Sequence, residues 1–181
     1  IGIITDGNLY YGKSGYSGEF GHSNVFDNDI LCQCGKMGCL ETEISGWALV
    51  NQFKEAIKEG KQSAIVLDEN ATSLQHHAII MGALQQEDTL CVELISKQSE
   101  KMGRYLSMIL NIFNPELLVV GGDFSLLGGY VLLPIQSALK KYSLGLVNRD
   151  VKLKKSSLGA RAGVIGACCV VKEKMLAAIV N

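Results

Sequence analysis

Three cysteines and a histidine near the start of the chain have the residue types and the spacing of a metal site. Cys32, Cys34 and Cys39 stand close together, and His22 lies a short distance before them. Zinc prefers thiolate and imidazole ligands in tetrahedral geometry, and three cysteines with one histidine form a known closed ligand set. The spacing of these residues therefore predicts one zinc ion in a structural site.

Disulfide bonds and ordinary reduced thiols are the alternatives for these cysteines. Three neighbouring thiols cannot all pair with one another, and cytosolic proteins keep their thiols reduced. Gly35 and Gly38 lie between the cysteines, where glycine allows the chain to turn tightly enough for the sulfur atoms to face one centre. The pattern favours zinc over both alternatives.

The composition of the chain narrows the classes of protein to consider. Its 181 residues are 48% hydrophobic and 19% charged, which supplies a buried core and excludes intrinsic disorder. The formal net charge of −1 argues against a nucleic-acid surface in this segment, because phosphate binding requires clustered lysine and arginine. No apolar run reaches the ~18 residues of a membrane helix, and no signal peptide opens the chain. These features predict a cytoplasmic protein without a membrane partner.

Hydrophobic periodicity predicts an α/β arrangement of the chain. The glycine-rich first part favours short strands and turns, and from residue 43 onward the pattern is mostly helical. The predicted strands cover residues 2–5, 9–11, 23–26, 117–120 and 151–154, and the predicted helices cover residues 43–60, 73–86, 89–113, 130–142 and 162–179. This order of elements predicts a lobe with flanking helices around a mixed sheet.

Apolar stripes on the predicted helices indicate which residues pack in the core. Cys91, Cys168 and Cys169 fall in such stripes, where packing is a commoner role for cysteine than chemistry. The last predicted helix is apolar on nearly all sides over residues 162–171, which predicts that this part is buried.

One apparent nucleotide-binding motif is interpreted as a chance match. Residues 7–14 read Gly-Asn-Leu-Tyr-Tyr-Gly-Lys-Ser and fit the phosphate-binding loop pattern letter for letter. That loop requires a strand before it and a helix that begins at its lysine and serine. Here the variable positions are bulky and strand-like, and the residues that follow are rich in glycine, which opposes a helix.

Four segments of the sequence together resemble the ROK family of repressors, open reading frames and kinases. Gly12 and residues 18–22, Gly-Glu-Phe-Gly-His, are similar to the end of the family's signature. Residues 32–41, Cys-Gln-Cys-Gly-Lys-Met-Gly-Cys-Leu-Glu, resemble its zinc motif and are the most diagnostic part. Residues 114–122 resemble its adenosine-side motif, and residues 158–167 resemble its C-terminal segment.

The resemblance implies a fold and a place in a longer protein. The fold is the actin-like ATPase, or ribonuclease H-like, fold, and residues 1–181 are expected to form its C-terminal lobe as a single domain with a zinc-binding loop. The sequence has no initiator methionine and opens within a predicted strand. We therefore expect it to be a piece of a longer protein whose N-terminal part lies outside these residues.

The resemblance also implies a sugar site beside the zinc ion. In the family, sugar hydroxyls are held by residues that correspond here to Glu19, His22 and Glu41. Ionised carboxylates form strong charge-assisted hydrogen bonds with hydroxyl groups. Two solvated surface acids are the alternative interpretation of Glu19 and Glu41, and the zinc motif between them favours the sugar site. Gly121 and Gly122 correspond to the nucleotide side of the family's cleft.

The family contains two classes of protein that share this lobe. Some members are sugar-responsive transcriptional regulators of the N-acetylglucosamine and xylose repressor type, and others are ATP-dependent sugar kinases. The general base of the kinases lies in their N-terminal half, so the resemblance assigns no catalytic residue to this chain. Kinases of the family usually have a third glycine where this chain has Asp123, and an aspartate there would repel nucleotide phosphates.

The sequence is therefore interpreted as the effector-binding domain of a regulator. A glucokinase-like lobe that phosphorylates a hexose or amino sugar is the alternative. The resemblance implies a small sugar or sugar phosphate as ligand, and DNA contact only through an N-terminal helix-turn-helix outside these residues. It also implies a dimer or tetramer, and the long apolar stripe over residues 89–113 points the same way.

Overall fold

The computed structural model of the chain describes the backbone of residues 1–180 and the side chains of residues 1–159 and 161–176. The strands are β1 (Ile4–Thr5), β2 (Asn8–Leu9), β3 (Leu117–Val120) and β4 (Lys152–Lys155). The α-helices are α1 (Glu41–Ile44), α2 (Gly46–Lys58), α3 (Ser73–Gln85), α4 (Thr89–Phe113), α5 (Gly129–Tyr142), α6 (Gly145–Asp150) and α7 (Ala162–Val180). Contacts group the residues into two compact units, one ending at Lys101 and the other beginning at Met102, so α4 contributes to both.

The first unit opens with the predicted β-hairpin. β1 and β2 are antiparallel, and Ile4 lies opposite Leu9. Asp6 and Gly7 form the turn with positive φ angles of 52° and 78°. Two positive φ angles are typical of the type I′ turn, whose twist matches that of the flanking strands. The predicted strand–turn–strand order is confirmed, with shorter strands.

The sequence that follows the hairpin confirms the interpretation of residues 7–14. Lys13 and Ser14 lie in a turn, and no helix begins at either residue. A phosphate-binding loop places these two side chains at the start of a helix, where backbone N–H groups face the phosphates. The match to that motif is therefore one of letters only.

A serine divides the helix that was predicted to begin at residue 43. Ser45 is extended, and its hydroxyl oxygen accepts a hydrogen bond of 3.2 Å from the backbone N–H of Ala48. Serine is a favoured N-cap because this bond satisfies an N–H group that has no partner within the helix. The division leaves α1 as a single turn, which carries Glu41 and Glu43.

The core of the first unit lies between α2 and α3. Leu49 and Phe53 on α2, and Ile80 and Leu84 on α3, have at most 1% of their surface exposed. α3 begins with a capping box that Thr72 forms with Gln75, and each residue satisfies a backbone N–H of the other.

The second unit pairs β3 with β4 in parallel. Leu117 lies opposite Lys152, and the register continues to Val120 opposite Lys155. α5 packs against β4. The predicted α/β class with both parallel and antiparallel pairing is confirmed, and within residues 1–180 the two kinds of pairing occur in two separate two-stranded sheets.

Besides the break at Ser45, the structure differs from the sequence-based expectation at residues 23–26 and on α7. Residues 23–26 contribute an isolated bridge at Asn24 and no regular strand, because the glycine-rich chain pairs there only briefly. The exposed fractions of Val164 and Ile165 on α7 are 69% and 37%, so the prediction of a buried first half is wrong for the described residues. An apolar helix is buried only where a partner surface covers it. Cys168 and Cys169 are exposed for the same reason, whereas Cys91 is buried as predicted.

The long helices agree closely with their predicted bounds. α4 covers residues 89–113 and β3 covers residues 117–120, as the periodicity predicted. Among the residues that the structure describes, no helix combines the length and the apolar composition needed to cross a membrane.

Candidate functional site

A short antiparallel pairing brings the histidine to the cysteines. Asn24 forms a bridge with Cys39, and the amide Nδ2 of Asn24 donates a hydrogen bond of 2.7 Å to the carbonyl oxygen of Met37. The N–H of Leu40 donates a hydrogen bond of 2.9 Å to the carbonyl oxygen of Ser23. His22 precedes Ser23 at the end of a 3-10 helix, and Glu41 follows Leu40 at the start of α1, so both residues stand at the same end of the pairing. The pairing therefore explains why a histidine and a glutamate so far apart in sequence face one site.

The turn that carries the cysteines is closed by two backbone hydrogen bonds. The N–H of Cys32 donates to the carbonyl oxygen of Lys36 at 2.8 Å, and the N–H of Gly35 donates to the carbonyl oxygen of Cys32 at 2.9 Å. Gly35 has a φ of 84° and Gly38 a φ of 70°, in the left-handed region that glycine adopts without strain. These glycines allow the chain to fold back so that Cys32, Cys34 and Cys39 share one centre.

The four predicted ligand atoms lie within 4.8 Å of one another. Cys32 Sγ is 3.5 Å from His22 Nδ1, and Cys34 Sγ is 3.6 Å from Cys39 Sγ. Tetrahedral zinc with bonds of about 2.0–2.3 Å separates its ligand atoms by about 3.5–3.8 Å. The donor set and these separations fit a tetrahedral ion, with a small contraction of the widest pairs on binding.

Burial and hydrogen bonding give the thiols different affinities for protons. Burial and, to a lesser extent, the neighbouring Cys34 and Cys32 raise the pKa of the Cys39 thiol to about 12. The pKa of Cys34 is lowered, first because the backbone N–H of Lys36 donates to its sulfur, and this outweighs desolvation. A metal ion that binds here displaces protons from the thiols, so binding and deprotonation are coupled.

The structure also bears on the disulfide alternative. All six cysteines are free thiols. The Sγ atoms of Cys34 and Cys39 are 3.6 Å apart, whereas a disulfide bond is about 2.05 Å long. A metal-binding arrangement is therefore the one that the sulfur positions favour.

Both predicted sugar-binding acids lie against the histidine ring. His22 Nε2 is 3.6 Å from Glu19 Oε2, and His22 Nδ1 is 3.6 Å from Glu41 Oε2. These distances are slightly too long for direct hydrogen bonds. The side chains of Glu19, His22 and Glu41 are 61%, 33% and 29% exposed, so a ligand can reach all three.

The two ring nitrogens of His22 face different neighbours. Nδ1 lies beside Cys32 Sγ on the metal side, and Nε2 lies beside Glu19. Glu41 is also close to Nδ1, although a nitrogen that binds a metal ion has no proton to donate. With a metal ion bound at Nδ1, Nε2 is therefore the ring nitrogen that is available to a ligand.

Sequence reasoning missed a polar cluster behind the candidate site. The carboxylate of Glu43 accepts hydrogen bonds from Asn28 Nδ2 at 2.9 Å and from Lys101 Nζ at 2.6 Å. Its backbone oxygen accepts a hydrogen bond of 3.1 Å from Gln52 Nε2. No sequence motif marks these residues, because they meet only through the packing of α1, α2 and α4.

The predicted nucleotide-side glycines lie in the second unit, directly after β3. Gly122 has a φ of 74° and precedes a short 3-10 helix, Asp123–Leu127. Asp123 is the first residue of that helix. The turn therefore places a carboxylate at the point where the resemblance predicts a close approach to nucleotide phosphates.

Comparison with known proteins identifies relatives over nearly all of the chain. Residues 1–174 match the family model described as the ROK family. The xylose repressor of Caldicellulosiruptor bescii is 33% identical over 175 residues, which is 97% of this chain and 44% of the repressor. The glucokinase of Halalkalibacterium halodurans is 31% identical over 174 residues, which is 96% of this chain and 53% of the enzyme. The chain thus spans about half the length of these relatives.

A solved structure agrees with the sequence comparison. The chain is similar to a ROK family glucokinase from Streptomyces griseus in complex with glucose and AMPPNP, with a TM-score of 0.79 and 31% identity. The similarity covers 93% of this chain and 55% of that enzyme. It confirms the predicted fold, and regulators and kinases occur together among the relatives.

Proposed function

The chain belongs to the ROK family, and from that premise we propose that it is the sugar-binding C-terminal domain of a transcriptional regulator. The lobe binds a small sugar or sugar phosphate as an effector and holds a structural zinc ion beside it. The observation that carries this proposal is the double role of His22, whose Nδ1 faces Cys32 and whose Nε2 faces Glu19.

The chemistry of a sugar grip supports this assignment. Adjacent hydroxyl groups of a sugar are hydrogen-bond donors and acceptors at a fixed spacing. Glu19 and Glu41 supply ionised acceptors on either side of the His22 ring, and hydrogen bonds to charged groups are the stronger kind. The Nε2 of His22 adds a donor between them. Three polar groups that converge on one partly exposed position suit a polyol better than an apolar ligand.

Zinc is the proposed metal because its preferred ligands and distances match the four donors of this loop. A site with four protein ligands leaves no position for a reacting water, so the ion stabilises the loop and polarises no substrate. His22, Cys32, Cys34 and Cys39 would hold the ion. The consequence for the sugar site is a fixed ring orientation for His22, as expected for a histidine that is held through one nitrogen.

Asp123 favours a regulator over a kinase. The residue begins the 3-10 helix that follows Gly122, in the turn that the resemblance assigns to the nucleotide side. A carboxylate beside triphosphate oxygens is repulsive unless a cation lies between them. A xylose repressor is among the relatives, at 33% identity.

A sugar kinase lobe is the second candidate function. The specific observation in its favour is the similarity to a glucokinase in complex with glucose and AMPPNP, at 31% identity and a TM-score of 0.79. On that reading the same acids would hold a hexose as a substrate, and Gly121 and Gly122 would lie beside the nucleotide. The general base would come from residues outside this chain.

The proposal includes the partners of the intact protein. The chain is the C-terminal lobe of a longer protein, and DNA is contacted by a helix-turn-helix segment outside these residues. The protein self-associates as a dimer or tetramer. Exposed apolar side chains on α4 support this assembly; for example, 69% of the surface of Ile112 is exposed. Sedimentation at micromolar concentration tests the assembly, and a monomer throughout would contradict it.

The proposed location of the protein is the cytoplasm, where thiols stay reduced and available to zinc.

Calorimetry on the intact protein tests the sugar site. The probes are glucose, xylose and N-acetylglucosamine, each titrated into wild type, Glu19→Ala, Glu41→Ala and the control Glu55→Ala. Glu55 is an exposed acid on α2 whose carboxylate lies 3.2 Å from the ammonium of Lys58. Loss of a hydrogen bond to a charged group costs about 1.5–3 kcal/mol, so we expect a tenfold to hundredfold loss of affinity in the two site variants.

Elemental analysis of the same preparations separates the sugar site from the metal site. We expect one zinc per chain in every variant, because neither glutamate is a proposed ligand. Less than half an equivalent of zinc, with freely titratable thiols, would overturn the metal assignment. The sugar site would be overturned if none of the three sugars binds the wild type. It would also be overturned if the affinity is unchanged in both Glu19→Ala and Glu41→Ala.

A further inference from the structure

The carboxylate of Glu43 joins three segments of the first unit. Asn28, on the loop between His22 and the cysteines, donates to Oε1 at 2.9 Å, and Lys101 on α4 donates to Oε2 at 2.6 Å. Gln52 on α2 donates to the backbone oxygen of Glu43 at 3.1 Å. The side chain of Glu43 is only 17% exposed, so these contacts are largely shielded from water.

Glu43 shares α1 with the proposed sugar-binding Glu41. α1 is a single turn of four residues, Glu41–Ile44. Isolated helical turns are unstable, because nucleation fixes several residues for one hydrogen bond. Residues two apart on a helix point in nearly opposite directions, since each residue turns it by about 100°. Glu41 therefore faces His22 while Glu43 faces α4, and whatever fixes Glu43 also fixes Glu41.

We propose that Glu43 is a positioning residue for the sugar site, which holds α1 and the loop around Asn28 in register through Lys101. The inference rests on the proposed sugar-binding function and deepens it. The ammonium of Lys101 also lies 5.8 Å from the centroid of the Phe26 ring. Phe26 follows the bridge residue Asn24, and Glu43 follows its partner Cys39, so Lys101 contacts the segments on both sides of that bridge. A change at Glu43 should thus move Glu41 relative to His22 and weaken the grip on the sugar.

A purely structural ion pair is the alternative explanation. Partly buried pairs often add little to stability, so close geometry alone does not establish a role. The chain offers a matched control in Glu93, which pairs with Lys97 at 2.6 Å and with Lys61 at 2.9 Å. These two pairs join α4 to itself and to Lys61, which follows α2, and neither pair includes a residue of α1. A structural role predicts similar behaviour for the two glutamates, and a positioning role does not.

The test measures sugar affinity, zinc content and melting temperature of the intact protein for Glu43→Ala, Glu43→Gln and Glu93→Ala. The probe is whichever of glucose, xylose and N-acetylglucosamine binds the wild type most tightly. We expect Glu43→Ala to lose about tenfold in sugar affinity and to keep one zinc per chain, a change of the size that coupled contacts show. Glu43→Gln retains an acceptor for Asn28 but loses the charge that faces Lys101. Its sugar affinity should therefore lie between those of the wild type and Glu43→Ala. Glu93→Ala should stay within about twofold of wild type, as expected for exposed pairs.

Each other outcome counts against the inference in a distinct way. Wild-type affinity in Glu43→Ala, combined with a loss in Glu41→Ala, overturns the positioning role and leaves the sugar site standing. Loss of zinc in the Glu43 variants assigns the residue to folding of the metal loop and also overturns the role. If Glu43→Ala fails to fold, Glu43→Gln decides, and unchanged affinity there contradicts the inference. If the wild type binds none of the probes, the proposed function fails, and the role of Glu43 fails with it.

Discussion

Two glycines of the metal loop have the same backbone conformation and different surroundings. Gly35 and Gly38 both have positive φ angles, of 84° and 70°. A Cβ added at Gly35 meets no atom within 4 Å, whereas a Cβ added at Gly38 would overlap the carbonyl oxygen of Phe26. That oxygen belongs to the segment whose N–H groups donate to the carbonyl of Gly38, so the overlap cannot be relieved by a side-chain rotation. A side chain at Gly35 would thus cause backbone strain alone, whereas a side chain at Gly38 would cause backbone strain and a steric clash.

Replacement of Gly38 by alanine should release the metal, and replacement of Gly35 should not. Gly35→Ala costs only the strain of a left-handed alanine, about 1–2 kcal/mol. Gly38→Ala adds a backbone clash beside Cys39 and breaks the pairing that brings His22 to the cysteines. Zinc content after dialysis against a weak chelator measures the difference, and we expect Gly38→Ala to lose zinc at concentrations that Gly35→Ala tolerates. Equal retention by both variants would contradict the role of the close approach.

The surroundings of Asp88 lower the pKa of its carboxyl group, which makes its contribution to stability depend on pH. Desolvation alone would raise the pKa of its carboxyl, but hydrogen bonds from the backbone N–H groups of Cys91 and Ala64 and from the Ser63 hydroxyl outweigh it and lower the pKa. The three bonds are 2.8–2.9 Å long and tie the loop before α3 to the start of α4. The carboxylate therefore stabilises the folded state only while it is ionised.

The sign of the shift fixes the pH dependence. Because the folded pKa lies below the ordinary value of 3.8, the contribution of Asp88 is present above about pH 4 and is lost as the pH falls through the folded pKa. Asp88→Asn should lower the free energy of unfolding by about 1–3 kcal/mol near neutral pH, since its amide nitrogen cannot accept from these donors. Denaturant titrations from neutral to acid pH measure the difference from wild type, which should shrink below about pH 4. A difference that is constant with pH would contradict this account.

The candidate metal ligands could be predicted from the sequence, whereas the residues that hold the neighbouring elements in place could not. Cys32, Cys34 and Cys39 are readable because metal chemistry limits the residue types and the loop fixes their spacing. Glu43 and Lys101 are not readable, because their contact depends on how α1 and α4 pack and no local pattern encodes it. The family resemblance supplied Glu19 and Glu41 as sugar ligands, which spacing alone would have left as surface acids.

At the scale of elements, α4 and α5 approach each other closely at a glycine. A Cβ added at Gly103 would lie 2.7 Å from the Cβ of Ala138 and 2.7 Å from the carbonyl oxygen of Ile135. Glycine is unfavourable within a helix, so its presence in the middle of α4 needs a reason of this kind. Gly82 on α3 provides a matched control, because a Cβ added there meets no atom within 4 Å.

The two glycine-to-alanine changes should have opposite signs. Gly82→Ala should raise the free energy of unfolding by about 0.5–1 kcal/mol, through the better helix propensity of alanine. Gly103→Ala gains the same propensity but forces α5 away, and we expect a net loss of about 1–3 kcal/mol. Urea denaturation of both variants measures this, and stabilisation by Gly103→Ala would show that the two helices are not packed as described.

Long periodic elements were predictable, and breaks within them were not. The bounds of α4 follow from its apolar stripe and from Asn114 and Pro115, which end it. The division between α1 and α2 was missed because the apolar pattern continues across Ser45 and only the capping geometry reveals the break. The exposure of Cys168 and Cys169 was not predicted, because the apolar composition of a helix does not show whether another surface covers it.

At the scale of the molecule, the same lobe serves proteins with different activities. The relatives include a xylose repressor at 33% identity and a glucokinase at 31% identity, so the fold does not distinguish a signal from a substrate. The distinction must come from particular groups, and our proposal of a regulator rests on Asp123, at the start of its 3-10 helix. Membership of the family could be recognised from the sequence because residues 32–41 carry three cysteines, two glycines and a glutamate at the spacing of the family's motif.

The central claim is that the sugar is bound as a signal and is not phosphorylated. The most direct test is sugar-dependent release of ADP from ATP and Mg²⁺ by the intact protein, measured with the sugar that calorimetry shows to bind and at saturating concentrations of both ligands. The account predicts that ADP release with the sugar equals the rate without it, while the sugar still binds. Sugar-dependent turnover at ordinary enzyme rates, about 1–10³ per second, would contradict the account and make this chain the C-terminal lobe of a sugar kinase.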